Sequence, residues 1–365
     1  SGEMMSRNEK FNLIIQLSVP SILAQVTTVL MFYIDAGMVG ALGTEPSAAI
    51  GLVEPATWLF FSLVSAMTMG FSVQVAHFIG ANDFPKARAV MRHGYIFGLC
   101  FALFLLLITF LIGYRLPVWL GGGADIQHDA TVYFLIFSLI IPFHLIEYMS
   151  AAMLKVSGDM RRPSFMAILM CVLDVIFNYF FIFPTRTVSL FGVEVTMPGL
   201  GEGVAGAALG SLLSFVCVAL PLAYYAIFRS PILAWKQDVE RFVWRWQYIW
   251  NAMKIGAPMA LQYLLMNGAQ LVSTMIVAPL GNIAIAAHSF AITAESLCYM
   301  PGYGISEAAT TLVGQSVGAD RRDLHRSFAW MTVLLGMVVM AFMGVIMYIF
   351  APEMIGLLSP VAEIQ

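Results

Sequence analysis

The sequence predicts an all-α polytopic membrane protein made of two parallel six-helix repeats, the second present only as its first three helices. Three observations carry this. The 365 residues are 60% hydrophobic and only 11% charged, against about 25% charged in a soluble domain, and the mean hydropathy is +0.85. Nine apolar runs each reach the roughly 20 residues that a bilayer crossing needs. The chain also matches itself at one fixed offset, 238 residues.

The spans lie near 13–35, 50–78, 94–114, 131–153, 164–184, 203–228, 255–278, 285–314 and 328–350. The first runs without charge from Phe11 to a single acid, Asp35. GTEPS leads into the second, which carries Glu54-Pro55, and GANDFPKAR follows it. LGGGAD separates the third from the fourth, and SGDMRRP the fourth from the fifth. PGLGEG precedes the sixth, and GADRRD precedes the ninth. These joints are rich in Gly, Pro, Asp and Asn, the residues that turn a chain. Between the sixth and seventh spans lies SPILAWKQDVERFVWRWQYIW. Its tryptophans and basic residues predict an amphipathic helix on the membrane surface, with a solvated linker as the alternative. The domain boundaries follow: a lobe over 1–230, a cytoplasmic linker over 231–250, and the second lobe from 251 to 365.

Basic residues set the orientation. With the N-terminus in the cytoplasm, only Arg115 and Arg186 of the 18 Lys and Arg residues face outward. The bias obeys the positive-inside rule and supports the span count, because one missed helix would scramble it.

At the 238-residue offset Pro20 meets Pro258, Leu42-Gly43 meets Leu280-Gly281, Gly80-Ala81 meets Gly318-Ala319, and Arg88 meets Arg326. Six helices per repeat return the chain to the same side, so the copies are expected to run parallel, related by an axis along the membrane normal. Gln365 matches Gln127, so this symmetry places about 100 further residues beyond the second repeat's third helix.

Composition excludes several functions. Net charge is −3 with no long basic tract, which argues against nucleic acid. Cys100, Cys171, Cys217 and Cys298 sit in apolar runs without CxxC spacing. HExxH and Walker A patterns are missing, and His77, His144 and His288 are isolated, so no enzyme and no cofactor are expected.

The stretches IDAGMVGALGTEPSAAIGL, GFSVQVAHFIGANDFPKAR, LDVIFNYFFIF, GVAGAALGSLLS, IGAPMALQ, APLGNIAIAAHSFAI and LVGQSVGADRRDLHR together resemble the multidrug and toxic compound extrusion (MATE) family over nearly the whole chain. The resemblance implies two six-helix lobes across a central cavity. It also implies export of organic cations or drugs in exchange for H⁺ or Na⁺, from a monomer in a bacterial cytoplasmic (inner) membrane. The alternative within the same superfamily is a lipid-linked oligosaccharide flippase. That protein would hold a pyrophosphate with basic residues, whereas the mid-span charges here are acidic.

The polar residues inside spans are the site candidates, because a carboxylate at the centre of a membrane helix costs roughly 3 kcal/mol. Asp35 matches the family's first-helix aspartate, a cation or proton site; otherwise it is a solvated helix end. Asp174 and Asn178, spaced i, i+4, share a helix face, and Ser211 matches a hydroxyl position of the same site. The family commonly places the asparagine first, so here the geometry of the pair departs from its pattern. Oxygen ligands of this kind suit a hard cation such as Na⁺, and two close carboxylates can equally hold a proton. The competing reading is an interhelical hydrogen bond that braces the lobe. Glu54 is either a cavity lining or a solvated helix start. Glu295 is the candidate acid of the second lobe or a structural hydrogen-bond partner. Some branches carry a glutamate where Met266 stands, flanked here by Gln262 and Asn267, so the resemblance favours coupling through the first lobe. Glu147 and Glu307 are expected to reach water near helix ends.

Overall fold

In the computed structural model, residues 5–190, 192–237, 242–358, 362 and 364 are described. Eight helices among them are long and apolar enough to cross a membrane, or nine when a bent pair counts as one crossing. The chain is a multi-pass membrane protein, and nearly all of it is helical.

The helices are α1 (Arg7–Gly40), α2 (Thr44–Gly80), α3 (Phe84–Gly113), α4 (Leu116–Trp119), α5 (Gln127–Ser138), α6 (Ile140–Val156), α7 (Arg161–Ile182), α8 (Val204–Tyr224), α9 (Trp246–Val277), α10 (Asn282–Gly318) and α11 (Arg322–Leu358). Ser6 caps α1. It accepts from Glu9 N at 3.2 Å while its own N donates to Glu9 Oε2 at 3.1 Å, which satisfies two otherwise orphaned donors. The α5–α6 pair bends by 41°. Pro142, three residues into α6, has no N–H for the Ser138 carbonyl, so the hydrogen-bond ladder breaks there.

Between α7 and α8 the chain forms an antiparallel hairpin, β1 (Pro184–Leu190) and β2 (Val193–Leu200), with Thr187 opposite Thr196. It marks one end of the bundle, called the hairpin end below. The segment after α8 marks the opposite, linker end.

That segment differs from the expected amphipathic helix. Its described residues hold one 3-10 turn, Trp235–Gln237, and α9 begins at Trp246; residues 238–241 of the expected helix lie outside the described residues. The aromatic and basic residues instead clamp the segment onto α3. Arg88 donates to Ile232 O at 2.8 Å and Arg92 to Trp235 O at 3.1 Å. Arg245 N donates to His93 Nε2 at 2.8 Å, and the His93 ring stacks on Trp244 at 4.7 Å.

Two cores hold the first half together. One packs Phe71, Met91, Leu145 and Met149 of α2, α3 and α6 toward the linker end. The other packs Leu52, Phe134 and Ile182 toward the hairpin end. Lipid is as apolar as these side chains, so close fit and interhelical hydrogen bonds do more here than water exclusion. Fit is tightest where glycine lets backbones touch. A Cβ on Gly80 would strike the Gln315 backbone, and one on Gly318 would strike that of His77. These paired contacts lock α2 against α10.

Candidate ion-coupling site

Four polar side chains from three helices meet a few turns below the hairpin end. Asp35 lies five residues before the end of α1, and Asp174 eight before the end of α7. At 1.5 Å per residue these depths differ by about one turn. Asp174 and Asn178 are 2% and 1% exposed. The Asn178 amide nitrogen donates to Asp35 Oδ1 at 2.9 Å and to Asp174 Oδ2 at 3.2 Å. The two acceptor oxygens are therefore at most about 6 Å apart. Ser211 Oγ donates to Asp174 Oδ1 at 2.8 Å.

The sequence reading missed Ser214, three residues after Ser211 on the same face of α8. Its hydroxyl donates to Ser211 O at 2.8 Å and lies 3.5 Å from Asp174 Oδ1. It also missed Tyr133 of α5, which is buried within the field of Asp35, Asp174 and Glu54. The i, i+3 spacing of the serines was a usable signal for the first. Tyr133 sits in an apolar run and offered none.

Gly210 makes the arrangement possible. It faces Asn178 across the α7–α8 contact, and a Cβ there would collide with Asn178 Oδ1. That carbonyl oxygen is buried with no hydrogen-bond partner among the described residues, so the amide spends both N–H groups on the carboxylates.

The remaining candidates lie elsewhere. Glu54 is on α2 and accepts from Ser289 of α10 at 3.2 Å and from Trp58 one turn along. It thus faces the contact between the two halves and is half-buried there rather than a solvated helix start. Asn267 of α9 donates to Ser62 of α2 at 3.1 Å, a second link across that contact. Glu295 and Gln262 are exposed on α10 and α9 and do not join the pocket. Glu147 is 8% exposed, so it is not the water-reaching carboxylate expected from its position, while Glu307, 22% exposed, pairs with Lys155.

Two carboxylates, an amide and a hydroxyl in a buried pocket can share a proton or hold a small hard cation. Among the described residues no three His, Cys, Asp or Glu side chains gather as a metal cluster.

The comparisons with known proteins agree with this architecture. The family model described as MatE matches residues 20–180 and 258–364. The chain belongs to the MatE family. It is 25% identical over 343 residues to a protein of Thermotoga maritima named "Probable multidrug resistance protein NorM", covering 94% of this chain and 71% of that one. It is 31% identical over 318 residues to the Pseudomonas aeruginosa protein of the same name, covering 84% and 61%. A solved MATE-family transporter of the MOP superfamily, in an outward-facing conformation, shares its fold with a TM-score of 0.81 at 21% identity, over 98% of this chain and 77% of that one. A MatE-family protein is a transporter.

Proposed function

We propose that this MatE-family protein is a secondary antiporter that exports organic cations or drugs in exchange for inward H⁺ or Na⁺, coupling through Asp35, Asp174, Asn178 and Ser211. The observation that carries the reading is the Asn178 amide bridging a half-buried carboxylate from α1 and a buried one from α7. Two such charges do not both ionise in a low-dielectric site without a counter-cation. Loading or unloading that cation changes what holds α1 to α7, and a two-state lobe then responds to the ion.

The amide orientation supports a proton. Its N–H groups point between the carboxylates, where Na⁺ would need an oxygen. Sodium coordination requires the amide to turn so that Oδ1 faces Asp35 rather than Gly210. The names of the NorM relatives support a small-molecule drug as cargo. A lipid-linked oligosaccharide flippase is not favoured, since the polar residues that meet in the pocket are acidic or neutral.

The finer architecture belongs to the same proposal. The hairpin end faces outward and the N-terminus the cytoplasm of a bacterial inner membrane. The lobes of 1–230 and 251–365 are parallel repeats joined by the 231–250 linker, and the protein works as a monomer without a cofactor. The 238-residue offset carries Thr44–Gly80 onto Asn282–Gly318. It also carries Gly43 (φ 118°) onto Gly281 (φ 110°) and Asn82 (φ 58°) onto Asp320 (φ 54°). Matching left-handed turns at matching positions support the repeat.

Drug efflux from vesicles, driven by a pH gradient or a Na⁺ gradient imposed one at a time, tests the reading. Wild type should respond to one of them, and Asp35→Asn should remain folded and respond to neither. Normal efflux by that variant removes Asp35 from the coupling site.

A further inference from the structure

A second charged group lies apart from the Asp35 pocket, where α6 of the first half meets α10 of the second. Lys155 Nζ donates to Glu307 Oε1 at 2.8 Å, with side chains 16% and 22% exposed. Two bonds frame the pair: Thr311 Oγ1 donates to Lys155 O at 3.0 Å and Gln315 Nε2 to Val156 O at 2.7 Å. Glu307, Thr311 and Gln315 recur every four residues, so one face of α10 grips the end of α6.

The charges there do not balance. Glu307 uses one oxygen for Lys155, while Oε2 is buried with no hydrogen-bond partner among the described residues. Glu147, two turns before Lys155 on α6, is 8% exposed. No hydrogen bond among the described residues reaches its carboxylate, and its charged neighbours are Lys155 and Glu307. One ammonium thus serves two carboxyl groups, and because an unpaired charge inside the bundle is costly, the second carboxyl calls for a proton or another cation. A tyrosine of α6 stands beside these acids and leads on to tyrosines of two further helices. Tyr148 of α6 lies in the field of Glu307, Glu147 and Tyr263 of α9. Tyr263 neighbours Tyr303 of α10, whose ring is 6.0 Å from that of Tyr299. Desolvated acids beside aromatic rings are the chemistry that recognises a lipophilic cation.

We propose that Glu147 and Glu307 form a binding site for a monovalent organic cation, and that Lys155 is a tethered cation occupying it in the state described. The proposal rests on the cation-export reading and names the residues that hold the cargo, apart from those that hold the coupling ion. An incoming cation pairs with Glu147 and weakens the grip of Lys155 on Glu307. Because Lys155 ties α6 to α10, cargo binding then favours separation of the two halves at the linker end.

Equilibrium binding of tetraphenylphosphonium, whose charge is permanent, to the purified protein is the test. Lys155→Gln removes the tethered competitor and should tighten binding about tenfold. Glu147→Gln should weaken it by a similar factor, and the double variant should lose the gain. Size-exclusion elution and thermal unfolding check that each variant is folded. In the wild-type sequence, with native cysteines replaced, spin labels at Ser157→Cys and Asp320→Cys should move apart when the cation saturates. An affinity within twofold of wild type in Lys155→Gln, wild-type binding by Glu147→Gln, or an unchanged label distance overturns the site. A proton as the natural occupant would give the first of these results. Gradient-driven export with none of these shifts removes this site and leaves the export reading standing; the shifts without export do the reverse.

Discussion

The smallest side chain in the coupling pocket gives its most demanding prediction. Gly210→Ala adds one methyl group where Asn178 Oδ1 already sits. Either α8 backs away from α7 or Asn178 rotates, and rotation loses both of its bonds, at 2.9 and 3.2 Å, to the carboxylates. The Asn178–Asp35 bond joins two helices and the Asn178–Asp174 bond lies within α7; side-chain hydrogen bonds in membranes average about 0.6 kcal/mol and bonds to charged groups are roughly twice as strong, so the pair contributes about 2–3 kcal/mol. Alanine returns up to about 1 kcal/mol through helix propensity. The net loss of about 1–2 kcal/mol corresponds to roughly tenfold in the population of intact pocket. Gradient-driven efflux should fall by about that factor, with a lowered unfolding temperature. Gly336→Ala and Gly344→Ala, where a Cβ meets nothing within 4 Å, should leave efflux unchanged and hold or raise stability. Wild-type efflux and unfolding temperature in Gly210→Ala would refute the packing argument.

Other perturbations follow from the same geometry. Ser211→Ala should slow ion-driven efflux more than Ser214→Ala, because Ser211 bonds Asp174 at 2.8 Å whereas Ser214 stands at 3.5 Å and chiefly supports Ser211; equal effects would make Ser214 a direct partner. His93→Ala removes the acceptor for Arg245 N and the stack on Trp244. It should destabilise by about 1–3 kcal/mol and speed proteolysis within 230–245 without altering which ion drives efflux, as limited digestion and vesicle assays would read.

What the sequence disclosed depended on periodicity and on charge. The crossings were legible because each apolar run is long and the joints are full of turn formers. The fourth run reads as one span, yet Pro142 bends it at Ser138, and a hydropathy window does not register a missing N–H. The hairpin went unread because the PGL of its second strand looks like loop punctuation. The linker's tryptophans read as a membrane-surface signal. Trp235 and Trp244 serve instead as ring partners for Arg92 and His93, while Trp246 and Trp250 are exposed, which only the path of the chain reveals. Within the pocket, the i, i+4 spacing of Asp174 and Asn178 placed them on one face, and Ser211 and Asp35 came from the family resemblance. Glu147 was misjudged because distance from a helix end says nothing about the helix that packs over it. Asn178 as the bridge and Gly210 as the space it needs are tertiary facts with no one-dimensional signature.

The central claim is that Asp35 and Asp174 share a cation whose release is coupled to drug binding. The most direct measurement is ion release from the purified protein as a cationic drug is titrated in, followed by a pH indicator in weak buffer and by a Na⁺ electrode. Wild type should release about one H⁺ or one Na⁺ per drug bound, as expected when ligand and ion favour opposite states; Asp35→Asn and Asp174→Asn should release neither. No release by wild type, or release that persists in both variants, would contradict the account.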